Sequence, residues 1–282
     1  MKSKNLFPMM MIGAALVSMT LGTGCKKEKD SSDENFSVEA QDISQSEDLS
    51  TSIDNMVAEA FNSGSLTVEG RNANPSDGEL SGCATVTWDS AHSTVTIYFN
   101  HCLGRNGHTR DGNIIVTYNG GDYWTMGASW DVTFDNFYID DRQVTGTRHV
   151  ENVGPESNGC VWNINANLTF TRSDGSSRTW TSTRTREITA GYHDADCSHH
   201  IYKINGTATH ADSQSGNSAD LTFTNLIRDL SCQYITAGTI TIVPNNNRPE
   251  RSIDFGSGDC DDLATVTKNG VSKIIHLNGG HH

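Results

Sequence analysis

The chain has 282 residues with 34 acidic and 20 basic side chains, which gives a formal net charge of −14 at pH 7. This balance repels the phosphate backbone of nucleic acids and anionic head groups, so nucleic acid is excluded as an expected partner. Only 35% of the residues are hydrophobic, and there are 26 glycines and five prolines. That profile favours many short strands with polar outer faces over a helical bundle.

Residues 1–24 follow the order of a secretory signal peptide. Lys2 and Lys4 form a basic start, an apolar run extends from Met9 to Leu21, and three small residues lead into Cys25. The run is shorter than a comfortable bilayer span. The placement of Cys25 resembles a bacterial lipoprotein lipobox, which implies that this cysteine becomes the new N-terminus and carries acyl chains such as palmitate. The alternative is an ordinary secretory signal followed by an unrelated cysteine.

The sequence after Cys25 has an acidic segment followed by an amphipathic one. Removing residues 1–24 takes away two lysines and no acids, so the mature chain has 18 basic and 34 acidic residues and a formal charge of −16. Residues 25–50 are rich in acids and serines and predict a disordered, lipidated tether. Apolar residues at helical spacing then predict a short amphipathic helix over 51–64 that docks on the rest of the protein. They are Ile53, Met56, Val57, Ala60 and Phe61.

From about residue 65 the apolar residues alternate with polar ones. The clearest case is Trp162–Phe170, where five apolar residues share one phase and polar residues the other. Turns such as Asn119–Asp122 and Lys268–Gly270 separate the strands, and no helical pattern lies between them. The sequence therefore predicts an all-β domain over 65–282, an antiparallel meander that forms a curved two-layer sheet or a sandwich. Segments 83–116 and 232–277 resemble each other and indicate a degenerate internal duplication.

Seven cysteines fit one lipidation site and three disulfides in an exported protein. Residues paired across a hairpin lie at equal sequence distances from its turn. This rule pairs Cys83 with Cys102, Cys232 with Cys260 and, with the poorest centring on a turn, Cys160 with Cys197. Each disulfide would contribute about 2–4 kcal/mol to stability.

Two polar clusters have the residue types of metal ligands. His193, His199 and His200 surround Cys197 and are suited to zinc or copper, with a solvated loop as the alternative. Asp254, Asp259 and Asp261 lie in a glycine-rich segment. These carboxylates are suited to structural calcium. The alternative is an ordinary turn beside a disulfide. No other cofactor is predicted.

No catalytic motif stands out, because Gly-x-Ser-x-Gly is absent and no two carboxylates are marked as a pair. Four aromatic residues surround a glycine-rich turn and could stack on sugar rings, with burial in the core as the alternative. They are Tyr118, Tyr123, Trp124 and Trp130.

Four segments together resemble a family of uncharacterised Bacteroidota outer-membrane lipoproteins: Cys25–Lys27, Thr133–Asp140, Leu230–Cys232 and Asp254–Asp261. The resemblance implies a lipid anchor in the outer membrane, with the surface or the periplasmic side left open, and it carries no assigned activity. We expect a non-catalytic binding or structural protein whose ligand is a glycan or another envelope protein. The alternative is a hydrolase that acts on envelope or dietary polysaccharide.

Overall fold

The computed structural model describes residues 31–63, 79–80, 82–104, 107–121, 123–156, 159–192 and 199–277. One helix and thirteen strands follow in chain order, and each strand pairs antiparallel with its sequence neighbours in a single open sheet. The elements are α1 (Ser31–Ser63), β1 (Thr85–Asp89), β2 (Thr94–Leu103), β3 (Thr109–Asn119), β4 (Ser129–Ile139), β5 (Arg142–Glu156), β6 (Gly159–Arg172), β7 (Ser177–Ala190), β8 (Ile201–Asp212), β9 (Ser218–Asp229), β10 (Ala237–Pro244), β11 (Arg251–Ser257), β12 (Leu263–Lys268) and β13 (Val271–His276). The predicted all-β antiparallel meander with one N-terminal helix is confirmed.

The sheet curves around the helix. In a flat sheet, β3 and β9 would lie about 29 Å apart, because neighbouring strands are spaced by about 4.8 Å. Yet Asp48 of α1 contacts both His108, which directly precedes β3, and Arg228 of β9, at 3.5 and 3.3 Å. The sheet must therefore bend round α1 to bring these strands together. All thirteen strands belong to this one sheet, so the curved arrangement is found and a sandwich of separate sheets is not.

The helix is longer than predicted and differently placed. It begins at Ser31, so residues 31–50 are helical and the predicted tether over 25–50 is wrong for them. Residues 25–30 lie outside the described part of the chain. Every residue from 49 to 61 is buried, whereas the pattern predicted a single buried stripe. Four of the acidic side chains that indicated disorder pair with arginines instead, and a sequence pattern does not show such long-range partners. They are Glu39, Asp42, Glu47 and Asp48.

The alternation of the strands is confirmed, but the inner face is not purely apolar. Along β7, the buried phase contains Trp180, Ser182, Arg184, Arg186 and Ile188. A period of two shows which residues share a face and leaves open which face is inside. Here charged residues lie on the buried side because α1 presents acids to them.

Two of the predicted disulfides are present, Cys83–Cys102 and Cys232–Cys260. Each links residues that flank a hairpin of neighbouring strands. Cys160 is buried and unbonded among the described residues, while Cys197 lies outside them, so the third pair stays a prediction. Within the described residues, no helix combines the length and apolar character needed to cross a membrane.

Candidate functional site

Buried ion pairs join α1 to the inner face of the sheet. Arg184 of β7 donates to both carboxylate oxygens of Glu47, at 2.5 and 2.7 Å, and Arg148 of β5 donates to Asp54. Arg228 of β9 lies 3.3 Å from Asp48. We call these contacts the interior ion pairs. Burial raises the pKa of Glu47 in spite of Arg184, and it lowers the pKa of Arg148 to about 10 although Asp54 opposes that effect.

Two further buried groups have shifted pKa values and structural roles. Burial and the neighbouring Glu79 raise the pKa of Glu59 to about 7. Its carboxylate accepts the backbone N–H groups of Glu79 and Leu80 at 2.8 and 3.0 Å, which ties the segment before β1 to the helix. Burial alone would lower the pKa of His108, but hydrogen bonds to Asp140 and Asp48 raise it to about 9.

The four predicted ligand-binding aromatics lie around the C-terminal end of α1. Tyr123 and Trp130 are buried with ring centroids 5.0 Å apart, and Phe61 of the helix lies 5.4 Å from Trp130. Trp124 is half-buried and donates its Nε1–H to Asn62 at 2.7 Å. Tyr118 is half-buried against Phe61. These rings pack in and against the core, so they do not form an exposed platform for sugars.

The predicted metal ligands that the structure describes have ordinary structural surroundings. His200 is fully buried with Nδ1 3.0 Å from the Tyr202 hydroxyl, His199 is exposed, and His193 lies outside the described residues. The Asp254 and Asp261 carboxylates accept nearby backbone N–H groups, as in ordinary turns, and Asp259 is exposed. Among the described residues, no group of three or more His, Cys, Asp or Glu side chains is arranged to hold a metal ion.

A cleft of about 560 Å³ opens beside the first described side chains of α1. Its walls come from the helix and from three hairpin turns on the same rim of the sheet, β6–β7, β8–β9 and β10–β11. The Asp212 carboxylate fixes the β8–β9 turn by accepting the N–H groups of Gln214 and Ser215 at 2.9 and 2.8 Å. The lining residues are Val38, Glu39, Asp42, Arg172, Arg178, His210, Asp212, Gln214, Ser215, Asn217, Ser218 and Arg248.

Two of the three arginines in the cleft are paired. Arg178 donates to Asp42 at 2.7 Å and lies 3.3 Å from Asp212. Arg248 holds both carboxylate oxygens of Glu39, at 2.9 and 3.0 Å. The two aspartates respond differently: burial raises the pKa of Asp42 despite Arg178, whereas hydrogen bonds from the turn and Arg178 outweigh burial and lower the pKa of Asp212.

Arg172 and His210 are the ionisable side chains of the cleft that have no hydrogen-bond or ion-pair partner among the described residues. The Arg172 side chain forms no hydrogen bond or ion pair with any residue that the structure describes, and it is half-buried. His210 is 5% exposed, and its Nε2 has no hydrogen-bond partner. Burial and the charge of Arg178 lower the pKa of His210 to about 4, so the imidazole is neutral at pH 7. A neutral imidazole offers one donor and one acceptor.

Comparisons with protein-family models, curated proteins and solved structures found no match to this chain. The cleft therefore has to be interpreted from its own chemistry. None of its residues was singled out from the sequence, because no motif or spacing marks them. One signal was present: Arg178 shares the phase of Trp180 on β7, and that phase is the buried one.

Proposed function

We propose that this protein is an exported, lipid-anchored, non-catalytic protein that binds a glycan in the cleft beside α1. The observation that carries the proposal is the combination of an unpaired guanidinium and a neutral, unpartnered imidazole in one polar cleft. Its volume of about 560 Å³ falls within the range of small-molecule sites, about 300–1,000 Å³.

The wall groups suit a ligand that is rich in hydroxyls. Gln214 and Asn217 supply amides, and Ser215 and Ser218 supply hydroxyls. Three of these side chains also hydrogen-bond within the protein, to Asp212, Asn246 and Asn245, and would use their remaining donor or acceptor positions for a ligand. A saccharide presents the same mixture of donors and acceptors. Because the four predicted ligand-binding aromatics pack in and against the core and do not line the cleft, recognition in this cleft depends on hydrogen bonds and not on ring stacking.

The membrane attachment belongs to the same proposal. The mature charge of −16 gives no electrostatic attraction to anionic lipid, so acyl chains on Cys25 are the attachment that fits. The resemblance to Bacteroidota lipoproteins supports an outer-membrane location. A binding protein held there by its N-terminus would present the cleft to polysaccharides or to envelope components.

A glycan array probed with the mature full-length protein tests the function. We expect binding to a subset of glycans that Gln214→Ala weakens about three- to tenfold, the effect of one neutral hydrogen bond. Asn163→Ala, an exposed polar change on the outer face of β6, serves as the matched control and should leave binding unchanged. Binding that responds equally to both substitutions, or no binding to any glycan, would refute the proposal.

One observation favours a hydrolase as the second candidate. Asp42 and Asp212 both face the cleft, and their pKa values move in opposite directions, as an acid and a base in one site require. Both contact Arg178, however, which favours a structural pairing. Release of new reducing ends from a bound polysaccharide, abolished by Asp42→Asn and Asp212→Asn, would establish hydrolysis. Unchanged glycan after prolonged incubation would leave binding as the function.

A further inference from the structure

We infer that the saccharide bound in the cleft carries a carboxylate, that Arg172 binds this group, and that the cleft selects uronic acids over neutral sugars. The inference rests on the proposed glycan-binding function and adds the chemical class of the ligand.

Arg172 differs from the other arginines of the cleft. Arg178 and Arg248 are each held by carboxylates, whereas the half-buried Arg172 has no side-chain partner among the described residues. Side-chain burial without a partner costs free energy for a charged group, and a ligand anion would recover it. The planar guanidinium matches a carboxylate with two parallel N–H···O bonds, which gives orientation as well as affinity.

The surrounding charges favour a single negative charge on the ligand. Glu39 is shared by Arg248 and by Arg251, which stands behind it. The lining of the cleft contains three arginines and the three carboxylates of Glu39, Asp42 and Asp212, and Arg172 is the arginine that has no ion pair among the described residues. One carboxylate on the ligand would give it a single counter-charge. A phosphate group near −2 would be left with repulsion from the three carboxylates.

His210 supports a sugar over a simple carboxylic acid. Its neutral ring lies in the same cleft as Arg172, and it has no hydrogen-bond partner in the part of the chain that the structure describes. The Nε2 atom is itself buried at the wall of the cleft, so we expect a ligand hydroxyl that reaches this wall to supply the missing partner. Below the ring, Trp180 is fully buried and lies 6.2 Å from His210 in an edge-to-face arrangement, which holds the imidazole in place.

Isothermal titration calorimetry on the mature full-length protein tests the inference. The probes are uronic-acid disaccharides, each beside its counterpart in which the carboxyl group is reduced to an alcohol. We expect at least one acidic disaccharide to bind wild type about ten- to hundredfold more tightly than its neutral counterpart, the range of a charge-assisted hydrogen bond. Arg172→Gln should abolish this preference. Lys203→Gln removes one positive charge on β8 outside the cleft and should preserve it.

Each other outcome is decisive. Because the Arg172 side chain makes no hydrogen bond or ion pair with a described residue, Arg172→Gln should melt at or above the wild-type temperature, which excludes misfolding as the cause of lost binding. Equal binding of acidic and neutral disaccharides would overturn the carboxylate inference while leaving glycan binding intact. Binding of none of the probes, while the array still shows neutral glycans bound, would overturn it as well. Inorganic phosphate serves as a competitor of the acidic disaccharide. If phosphate binds more tightly than the disaccharide, the cleft prefers a dianion, and the inference is wrong.

Discussion

Arg184 and Glu47 meet inside the curved sheet with Nη1 and Oε1 2.5 Å apart, and their side chains are 1% and 0% exposed. A helix that carries so many acids can be enclosed only if the enclosing strands supply cations. The interior ion pairs therefore explain how a chain with a small hydrophobic fraction covers a helix on all sides.

The first prediction concerns this pair. Arg184→Met should destabilise the protein by about 3–5 kcal/mol, because it leaves the Glu47 carboxylate buried without its cation. The double variant Arg184→Met/Glu47→Leu should recover most of that loss, since well-packed apolar groups can replace a buried pair at little cost. Urea unfolding followed by tryptophan fluorescence gives the three free energies. Additive losses in the double variant would show that the two charges do not interact.

How far the fold follows from sequence depends on which residues carry the signal. The period of two along β6, with Trp162 and Phe170 in one phase, shows a strand with one buried face and is enough to predict a meander. The hairpin rule places two disulfides for a similar reason, since antiparallel pairing is a local property. The contacts of residues 31–50, in contrast, are with residues far away in sequence: Asp42 pairs with Arg178, and Glu47 pairs with Arg184. Without knowledge of those pairs, acids and serines indicate disorder.

The cleft was unpredictable for the same physical reason. Arg172, Arg178 and Arg248 come from two different hairpin turns, and they share a site only because the sheet curves. Tyr123 and Trp130, by contrast, are close in sequence, and for that reason they were interpreted as ligand-binding residues. In the structure they pack around Phe61 in the core. In this chain the aromatic residues stabilise one end of the helix, and the charged residues line the cleft at the other.

The second prediction is a loss of stability in alkaline solution caused by His108. Its pKa is raised from 6.5 to about 9, so the folded state holds a proton that the unfolded state releases. This stabilisation is complete below pH 6.5 and disappears as the pH rises through 9, with a total of up to about 3 kcal/mol. His108→Gln should flatten the dependence between pH 6.5 and 9. A slope as steep as that of wild type would assign the effect to other groups.

The third prediction concerns Glu59, whose pKa is raised from 4.5 to about 7. The folded state keeps this proton over a range in which the unfolded state loses it. Stability should therefore fall as the pH rises from 4.5 to 7, by an amount on the order of 3 kcal/mol. Glu59→Gln removes the titration, and its free energy of unfolding should change less across this range. Glu151→Gln, on an exposed position of β5, is the control and should retain the wild-type slope.

The fourth prediction addresses the length of the helix. Amide hydrogen exchange of the full-length protein should be slow across residues 40–61, because these residues are helical and most are buried inside the sheet. Exchange of residues 40–50 at the rate of an unstructured peptide would restore the tether interpretation. Arg178→Gln provides a matched perturbation: it removes the cation that Asp42 contacts and should speed exchange near Asp42 more than near Met56.

The fifth prediction concerns the membrane anchor. Cys25→Ala should move the protein from the membrane fraction to the soluble fraction and abolish incorporation of labelled palmitate, because a mature charge of −16 provides no other attraction to anionic lipid. Cys160→Ala removes a buried cysteine and should leave both membrane association and labelling unchanged. If the Cys25→Ala protein stays with the membrane after a salt wash, the attachment is not an acyl chain on this residue. If wild type is released into the medium without detergent, the first 24 residues act as an ordinary secretory signal.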